Sequence, residues 1–192
     1  MRFEGLGIYR AFHVSIEPRV DERGFFARTF CAQEFHRVGL PSGLVQASVS
    51  FNIRRGTVRG LHFQWAPSKE GKLVRCLRGR LIDVMLDLRP ESPTYLQHIS
   101  VELDEETRGA VFIPHGVAHG FQTLTDSTEV LYQMTDVYAP DLAGGVRWND
   151  PSFGIKWPLM DDVVISEQDS KYPDFDRRAY EAELKCRVLA AV

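Results

Sequence analysis

Several features that would direct a reading elsewhere are missing from this chain. There is no basic excess: 23 Lys and Arg stand against 26 Asp and Glu, for a net charge of −3. Nothing electrostatic therefore recommends a nucleic-acid partner. No apolar run approaches the roughly eighteen residues that span a bilayer, so no membrane segment is expected. The opening MRFEGLGIYRAFHV lacks the apolar core of a secretory signal. Cysteine is scarce, and Cys31, Cys76 and Cys186 are odd in number and far apart. They read as reduced thiols of a cytoplasmic protein, not as a disulfide framework or a zinc site. Phosphate-cradling glycine loops are absent, which removes nucleotide hydrolases and dinucleotide-binding folds. Gly-x-Ser-x-Gly is also absent, and no Cys lies near a His, which weakens a nucleophilic hydrolase.

What is present suits one globular domain. Of 192 residues, 44% are hydrophobic and 26% charged. No repeat, low-complexity tract or Gly/Ser linker marks a boundary, so a single domain is expected over 1–192. Short β-type runs dominate, with turn signals about every ten residues. They cover Leu44–Ile53, Thr57–Gln64, Lys72–Arg78, Leu81–Leu88, Gln97–Leu103, Gly109–Ile113, Gly120–Leu124 and Glu129–Thr135. Gly79 between the third and fourth predicts a hairpin. In the fourth run, Ile82, Val84 and Leu86 share one face and Asp83 and Asp87 the other. Many strands without intervening helices argue for an all-β sandwich or barrel. A helical extension is expected over about 170–192, capped by Asp174 and running through Arg178, Tyr180, Glu183 and Leu184.

Polar residues inside predicted strands are the candidates for chemistry. Arg59 and His62 share one run, Lys72 opens the next, His119 follows Pro114-His115-Gly116, and Tyr132 lies in Val130–Gln133. In a closed barrel, alternate residues point inward and several of these groups would meet in one cavity. The alternative is that they face water on the outside of the sheet. Metal ligation by His62, His115 and His119 is disfavoured. The His115/His119 pair brackets Gly116 after Pro114, where a helix would not form, and no His-x-His occurs. A carboxylate on Nδ1 of a histidine base would fix its tautomer, but Asp169 is only one of 26 acids.

Ordered motifs then accumulate along about residues 5 to 172. They are Asp21-Glu22-Arg23-Gly24-Phe25-Phe26, Arg55 through Gln64, Lys72-Leu73-Val74-Arg75, Asp87-Leu88-Arg89, Ser92-Pro93-Thr94 and Ile113 through Phe121. Tyr132, Tyr138, Gly145 through Pro151, and Ile165-Ser166 with Asp169 complete the set. In these the chain resembles the dTDP-4-dehydrorhamnose 3,5-epimerases of the cupin superfamily. The resemblance implies a jelly-roll barrel, a homodimer that exchanges N-terminal strands, and no metal or cofactor. It implies action on a keto-deoxysugar carried by a nucleoside diphosphate, inverting C3, C5 or both. It assigns His62 as base with Asp169 as its partner, Lys72 to the enolate oxygen and Tyr132 as acid on the other face. Arg23, Phe26, Gln46, Arg59, His119, Phe121 and Tyr138 would contact substrate, the arginines at the diphosphate.

Some positions depart from the family pattern. Arg19 and Val20 stand where an aromatic is usual, Arg28 where an acid is usual, Ala47 and Ser48 within the Gln-x-Asn motif, and Gln168 where a basic residue precedes the catalytic Asp. The proton-transfer set is untouched, while the nucleotide carrier and the sugar stay open. Two classes follow: an epimerase of nucleotide-linked 4-keto-6-deoxyhexoses, or a metal-dependent or sugar-nucleotide-binding cupin without epimerase activity.

Overall fold

The structure is a computed structural model and describes residues 1–190. The last two positions of the expected 1–192 domain lie outside the described residues. The strands are β1 (Arg2–Gly5), β2 (Phe12–Ser15), β3 (Arg19–Asp21), β4 (Gly24–Phe26), β5 (Gln46–Asn52), β6 (Thr57–Gln64), β7 (Lys72–Arg78), β8 (Arg80–Asp87), β9 (His98–Asp104), β10 (Ala110–Ile113), β11 (Val117–Thr123), β12 (Thr128–Met134), β13 (Ala143–Gly145) and β14 (Val164–Ile165). Three helices accompany them: α1 (Ala32–Arg37), α2 (Glu167–Ser170) and α3 (Arg177–Ala190). One sheet has the order β1-β2-β10-β7-β12-β5. The other runs β13-β6-β11-β8-β9, with β14 pairing parallel to the start of β6. The fold is all-β, a cupin-type jelly roll with C-terminal helices. None of the described helices is long and apolar enough to cross a membrane.

Three apolar layers follow from strand alternation. Between the sheets lie Val74, Cys76, Leu81, Met85, Val111, Phe121 and Val130. Outside the second sheet, Leu61, Phe63, Val84 and Leu86 pack under Trp148, Trp157 and Tyr180 of the C-terminal segment. Outside the first, Leu73 and Phe112 meet Phe35 of α1. Strand β8 thus buries both faces. Ile82, Val84 and Leu86 turn outward to the C-terminal layer, while Asp83 and Asp87 share the inter-sheet parity of Leu81 and Met85 and are fully buried. Asp87 is accommodated by Arg89, Ser92 and Thr94, each bonded to its carboxylate at 2.6–2.8 Å.

The strand positions expected between residues 44 and 135 match the structure closely, and three details differ. The Gly79 turn does not make a hairpin: β7 pairs with β10 and β12, β8 with β9 and β11, so the chain crosses from one sheet to the other. Gly79 adopts φ +79° there, and a Cβ would lie 2.5 Å from Thr125 Oγ1. Strand β11 begins at Val117, directly after the Gly116 turn, so Gly120 lies within the strand and does not open it. The cap of α3 is Asp176, whose carboxylate accepts the N–H groups of Arg178 and Ala179; Asp174 instead pairs with Arg147. Strands β1–β4 and α1, all six residues or shorter, were not anticipated by periodicity.

At Gly120 the backbones of β6 and β11 leave no room for a side chain. A Cβ on Gly120 would stand 2.6 Å from the Arg59 carbonyl oxygen and 2.8 Å from Leu61 Cδ2. Gly120→Ala is expected to destabilise the protein by about 1–3 kcal/mol, because backbone and a buried leucine must both move. Urea unfolding measures this; wild-type stability would show that the two strands separate without cost.

Candidate active site

A cavity of about 860 Å³ opens between the two sheets at one end of the barrel. Strand β5 lines it with Gln46, Ser48 and Ser50, the alternate residues of one face. Strand β7 contributes Lys72 and β12 contributes Tyr132 and Met134. Across the gap, β6 supplies Arg59 and His62, and β11 supplies His119. Asp169 and Tyr172 close one side.

Arg59 and His62 are three residues apart, so a regular strand would send them to opposite faces. The register resolves this. Arg59 faces Phe121 and His62 faces His119, so three steps on β6 match two on β11. The extra residue forms a bulge that restores both side chains to the cavity. Gly60 accepts the bulge at φ +110°, where Gly120 leaves no room for a Cβ. The bulged Gly60 N–H donates to Asp169 Oδ2 at 3.1 Å.

The same carboxylate bonds His62: Nε2 and Asp169 Oδ1 are 2.7 Å apart. The carboxylate thus meets Nε2 and not the expected Nδ1, because Asp169 approaches from α2 beside the bulge. Nδ1 then has no hydrogen bond among the described residues, and the ring remains 44% exposed while Asp169 is 6% exposed. Asp169 is fixed by a local device, its N–H donating to the Ser166 hydroxyl that caps α2. Burial pushes the Asp169 carboxyl up, but the bonds from His62 and Gly60 outweigh it and hold its pKa below the ordinary value. Tyr172 packs edge-on to His62 at 6.4 Å, in space left by Gly145.

A second His–Asp pair lies deeper. His119 Nε2 and Asp83 Oδ2 are 2.6 Å apart, both side chains almost fully buried. Burial raises the Asp83 pKa, against the pull of His119 and Lys72. Tyr132 stands beside His119, ring centroids 6.0 Å apart. Burial, reinforced by the Asp83 carboxylate, raises the phenol pKa, so Tyr132 keeps its proton at neutral pH. Its hydroxyl has no hydrogen-bond partner among the described residues. Lys72 Nζ lies 2.9 Å from Glu70 Oε1. Arg59 Nε donates to Asn52 Oδ1 at 2.8 Å, which directs the rest of the guanidinium into the opening. Tyr138 lines the rim, and its N–H donates to Gln46 Oε1 at 2.9 Å.

Of the residues named from sequence, His62, Lys72, Tyr132, Asp169, Gln46, Arg59, His119 and Tyr138 meet in this cavity. Three do not. Phe121 is wholly buried between the sheets and supports Tyr132 from behind, ring centroids 6.4 Å apart, so it cannot touch a ligand here. Arg23 and Phe26 lie on the β3–β4 hairpin, outside both sheets. Arg23 pairs with Asp21 of its own turn at 2.6 Å, and Phe26 is 77% exposed. Among the departures, Ser48 and Gln168 line the cavity, whereas Arg19 and Arg28 border a separate hollow with Met1, Glu17 and Glu34. Asn52, Gln64, Glu70 and Tyr172 are not among the residues named from sequence; Asn52 and Gln64 carry the same signal as Arg59 and His62, a polar residue inside a predicted strand, whereas Glu70 and Tyr172 lie outside the strands. Among the described residues no three His, Cys, Asp or Glu side chains gather as a metal site. His62 and His119 are each engaged by a carboxylate.

The family model described as dTDP-4-dehydrorhamnose 3,5-epimerase matches residues 6–177. The chain is 42% identical over 173 residues to such an epimerase from Sinorhizobium fredii, covering 90% of this chain and 89% of that one. It is 45% identical over 163 residues to the one from Methanothermobacter thermautotrophicus, covering 83% and 87%. A Legionella pneumophila dTDP-6-deoxy-D-glucose-3,5-epimerase, solved with dTDP-4-keto-L-rhamnose, superposes with a TM-score of 0.87 at 33% identity, covering 95% and 96%.

The lowered Asp169 pKa has a consequence for stability. A carboxyl depressed in the native state stabilises it fully above its unfolded pKa, and that contribution disappears as pH falls through the native value. The difference in unfolding free energy between wild type and Asp169→Asn is expected to be constant above about pH 5 and to shrink below about pH 4. Urea titrations across this range measure it; a difference that persists unchanged into acid would contradict the assignment.

Proposed function

The chain belongs to the dTDP-4-dehydrorhamnose 3,5-epimerase family, and from that premise we propose how its cavity carries out the reaction. The protein is an isomerase that epimerises a nucleotide-linked 4-keto-6-deoxyhexose of the dTDP-4-dehydrorhamnose type. The 4-keto group acidifies the protons on C3 and C5. His62 removes one through its free Nδ1, and the Asp169 carboxylate on Nε2 stabilises the imidazolium that forms. Lys72 faces the enolate oxygen and contributes the fixed positive charge that such an intermediate needs. Tyr132, a phenol kept protonated, returns a proton to the same carbon from the other side. Arg59, steered by Asn52, takes the diphosphate, and Gln46, His119 and Tyr138 contact the remainder of the ligand.

One observation carries this assignment. His62 and Tyr132 come from different sheets, β6 and β12, and face a common cavity from opposite walls. A sugar ring held between them meets the base on one face and the acid on the other, which is what inversion of a centre requires. Two histidines, each held by a carboxylate and without a third ligand, do not favour the metal-dependent alternative.

Arg23 and Phe26 enter through a second copy of the chain, forming a homodimer in which each β3–β4 hairpin reaches the partner's cavity. In support, the hairpin exposes Val20, Phe25 and Phe26, and β5, the terminal strand of its sheet, exposes Val49 and Phe51. An open, apolar edge strand pairs readily with another chain. Proteins bearing Arg23→Ala and His62→Asn are expected to be weak separately and to regain activity when refolded together. The mixed dimer then has one site with both Arg23 and His62. No recovery would place Arg23 in the site of its own chain or outside any site.

The chemical roles separate in heavy water. His62→Asn is expected to abolish deuterium incorporation into substrate. Tyr132→Phe should retain exchange while losing product by about 10²-fold or more, since the base still forms the enolate. Proton NMR with dTDP-4-keto-6-deoxyglucose reads both. Near wild-type exchange in His62→Asn would remove His62 as base, and equal loss of exchange and product in Tyr132→Phe would remove the division of roles.

A further inference from the structure

We propose that Glu70 is the positioning residue for Lys72 and that, through Gln64, it couples the lysine ammonium to the Tyr138–Ala139 segment at the rim. This rests on the role given to Lys72 above. Glu70 lies in the β6–β7 connection, where a carboxylate would ordinarily face water, yet its side chain is 4% exposed and lines the cavity. A buried carboxylate persists only when its oxygens are bonded, and both are. Oε1 is 2.9 Å from Lys72 Nζ, and Oε2 accepts from Gln64 Nε2 at 2.7 Å. The other end of Gln64 accepts the Ala139 N–H at 2.9 Å, one residue beyond Tyr138.

The loop that carries Glu70 is itself tied down. The Glu70 N–H donates to Ser68 Oγ at 3.2 Å, and the Lys69 N–H donates to Asp136 Oδ2 at 3.0 Å. The carboxylate is therefore a fixed point and the lysine the movable member. A lysine stem has four rotatable bonds, and other anions compete for its ammonium: Asp83, which feels its charge, and the diphosphate of a bound ligand. Oxyanion stabilisation needs the donor at about 3 Å from where charge develops. Glu70 holds Nζ at the first residue of β7, on the wall that faces Arg59 and His62 of β6. Gln64 adds a consequence: displacement of the Tyr138–Ala139 segment pulls on the same carboxylate, so rim and lysine move as one unit. Glu70 does not contact the reacting atoms and acts only through Lys72.

Glu70→Gln, Lys72→Gln and the double variant test this. In Glu70→Gln the lysine loses its ionic partner with little change of volume, and the amide NH2 necessarily faces one of the two donors. Its kcat is expected to fall about 10- to 100-fold, with calorimetric affinity for dTDP within about twofold of wild type and a single cooperative melt that shows the variant folded at the assay temperature. In the Lys72→Gln background the same substitution should have no further effect. If Glu70→Gln does not fold, Glu70→Asp, which keeps the charge and withdraws it by one methylene, is read in the same way. Wild-type kcat in Glu70→Gln, or losses that multiply independently in the double variant, would overturn the proposal. Near wild-type activity in Lys72→Gln alone would instead overturn the role of Lys72.

Discussion

The extra residue in β6 opposite Gly120 is the constraint on which the site depends. Without it, Arg59 and His62 would point to opposite sides of the sheet, one into the cavity and one into the layer under Trp148 and Trp157. With it, both enter the cavity. The bulge also frees the Gly60 N–H from the strand ladder, and Asp169 accepts it. One backbone irregularity therefore sets the direction of two functional side chains and anchors a third. Bulges recur near functional sites because they re-aim a side chain without interrupting the sheet. Two glycines are required here because the backbones approach too closely for any Cβ.

Electrostatics divide the polar groups into two classes. The His62–Asp169 pair is half open: its carboxyl is held below its ordinary pKa and its imidazole reaches solvent. The His119–Asp83 pair is closed, and there burial drives the carboxyl the other way. On the facing sheet, burial together with the Asp83 carboxylate raises the Tyr132 phenol. The cavity thus has a solvent-reaching imidazole on one wall and a buried phenol on the other.

The jelly roll suits this arrangement because its two sheets are joined by chain crossings. At Gly79 the chain passes from β7 to β8 in the opposite sheet, so Lys72 and Asp83, eleven positions apart, come from facing walls. The C-terminal segment wraps the outside of the second sheet and returns as β14 beside β6, which delivers Asp169 to His62 across 107 positions of sequence. Strands carry His62, Lys72 and Tyr132, while the rim at Tyr138 and Ala139 is tied to the barrel by backbone donations to Gln46 and Gln64.

From the sequence alone, alternation and turn residues located the central strands, because a two-residue period and a glycine turn are local properties. Ordered motifs also named His62, Lys72, Tyr132 and Asp169 as a set, and the four line one cavity. Pairing was not legible: β7 and β8 look like a hairpin until tertiary structure places them in different sheets. Short elements with mixed burial, such as β1–β4, carry too few residues for a period to emerge. The glycine at position 120 looked like a strand boundary, and only the approach of β6 reveals it as a point of contact. Phe121 matched a motif, yet its side chain belongs to the core. The nitrogen of His62 that meets Asp169, the depth of the Asp83 pair and the anchoring of Lys72 by Glu70 depend on distance and burial. Those are set when remote segments converge, and no local pattern encodes them.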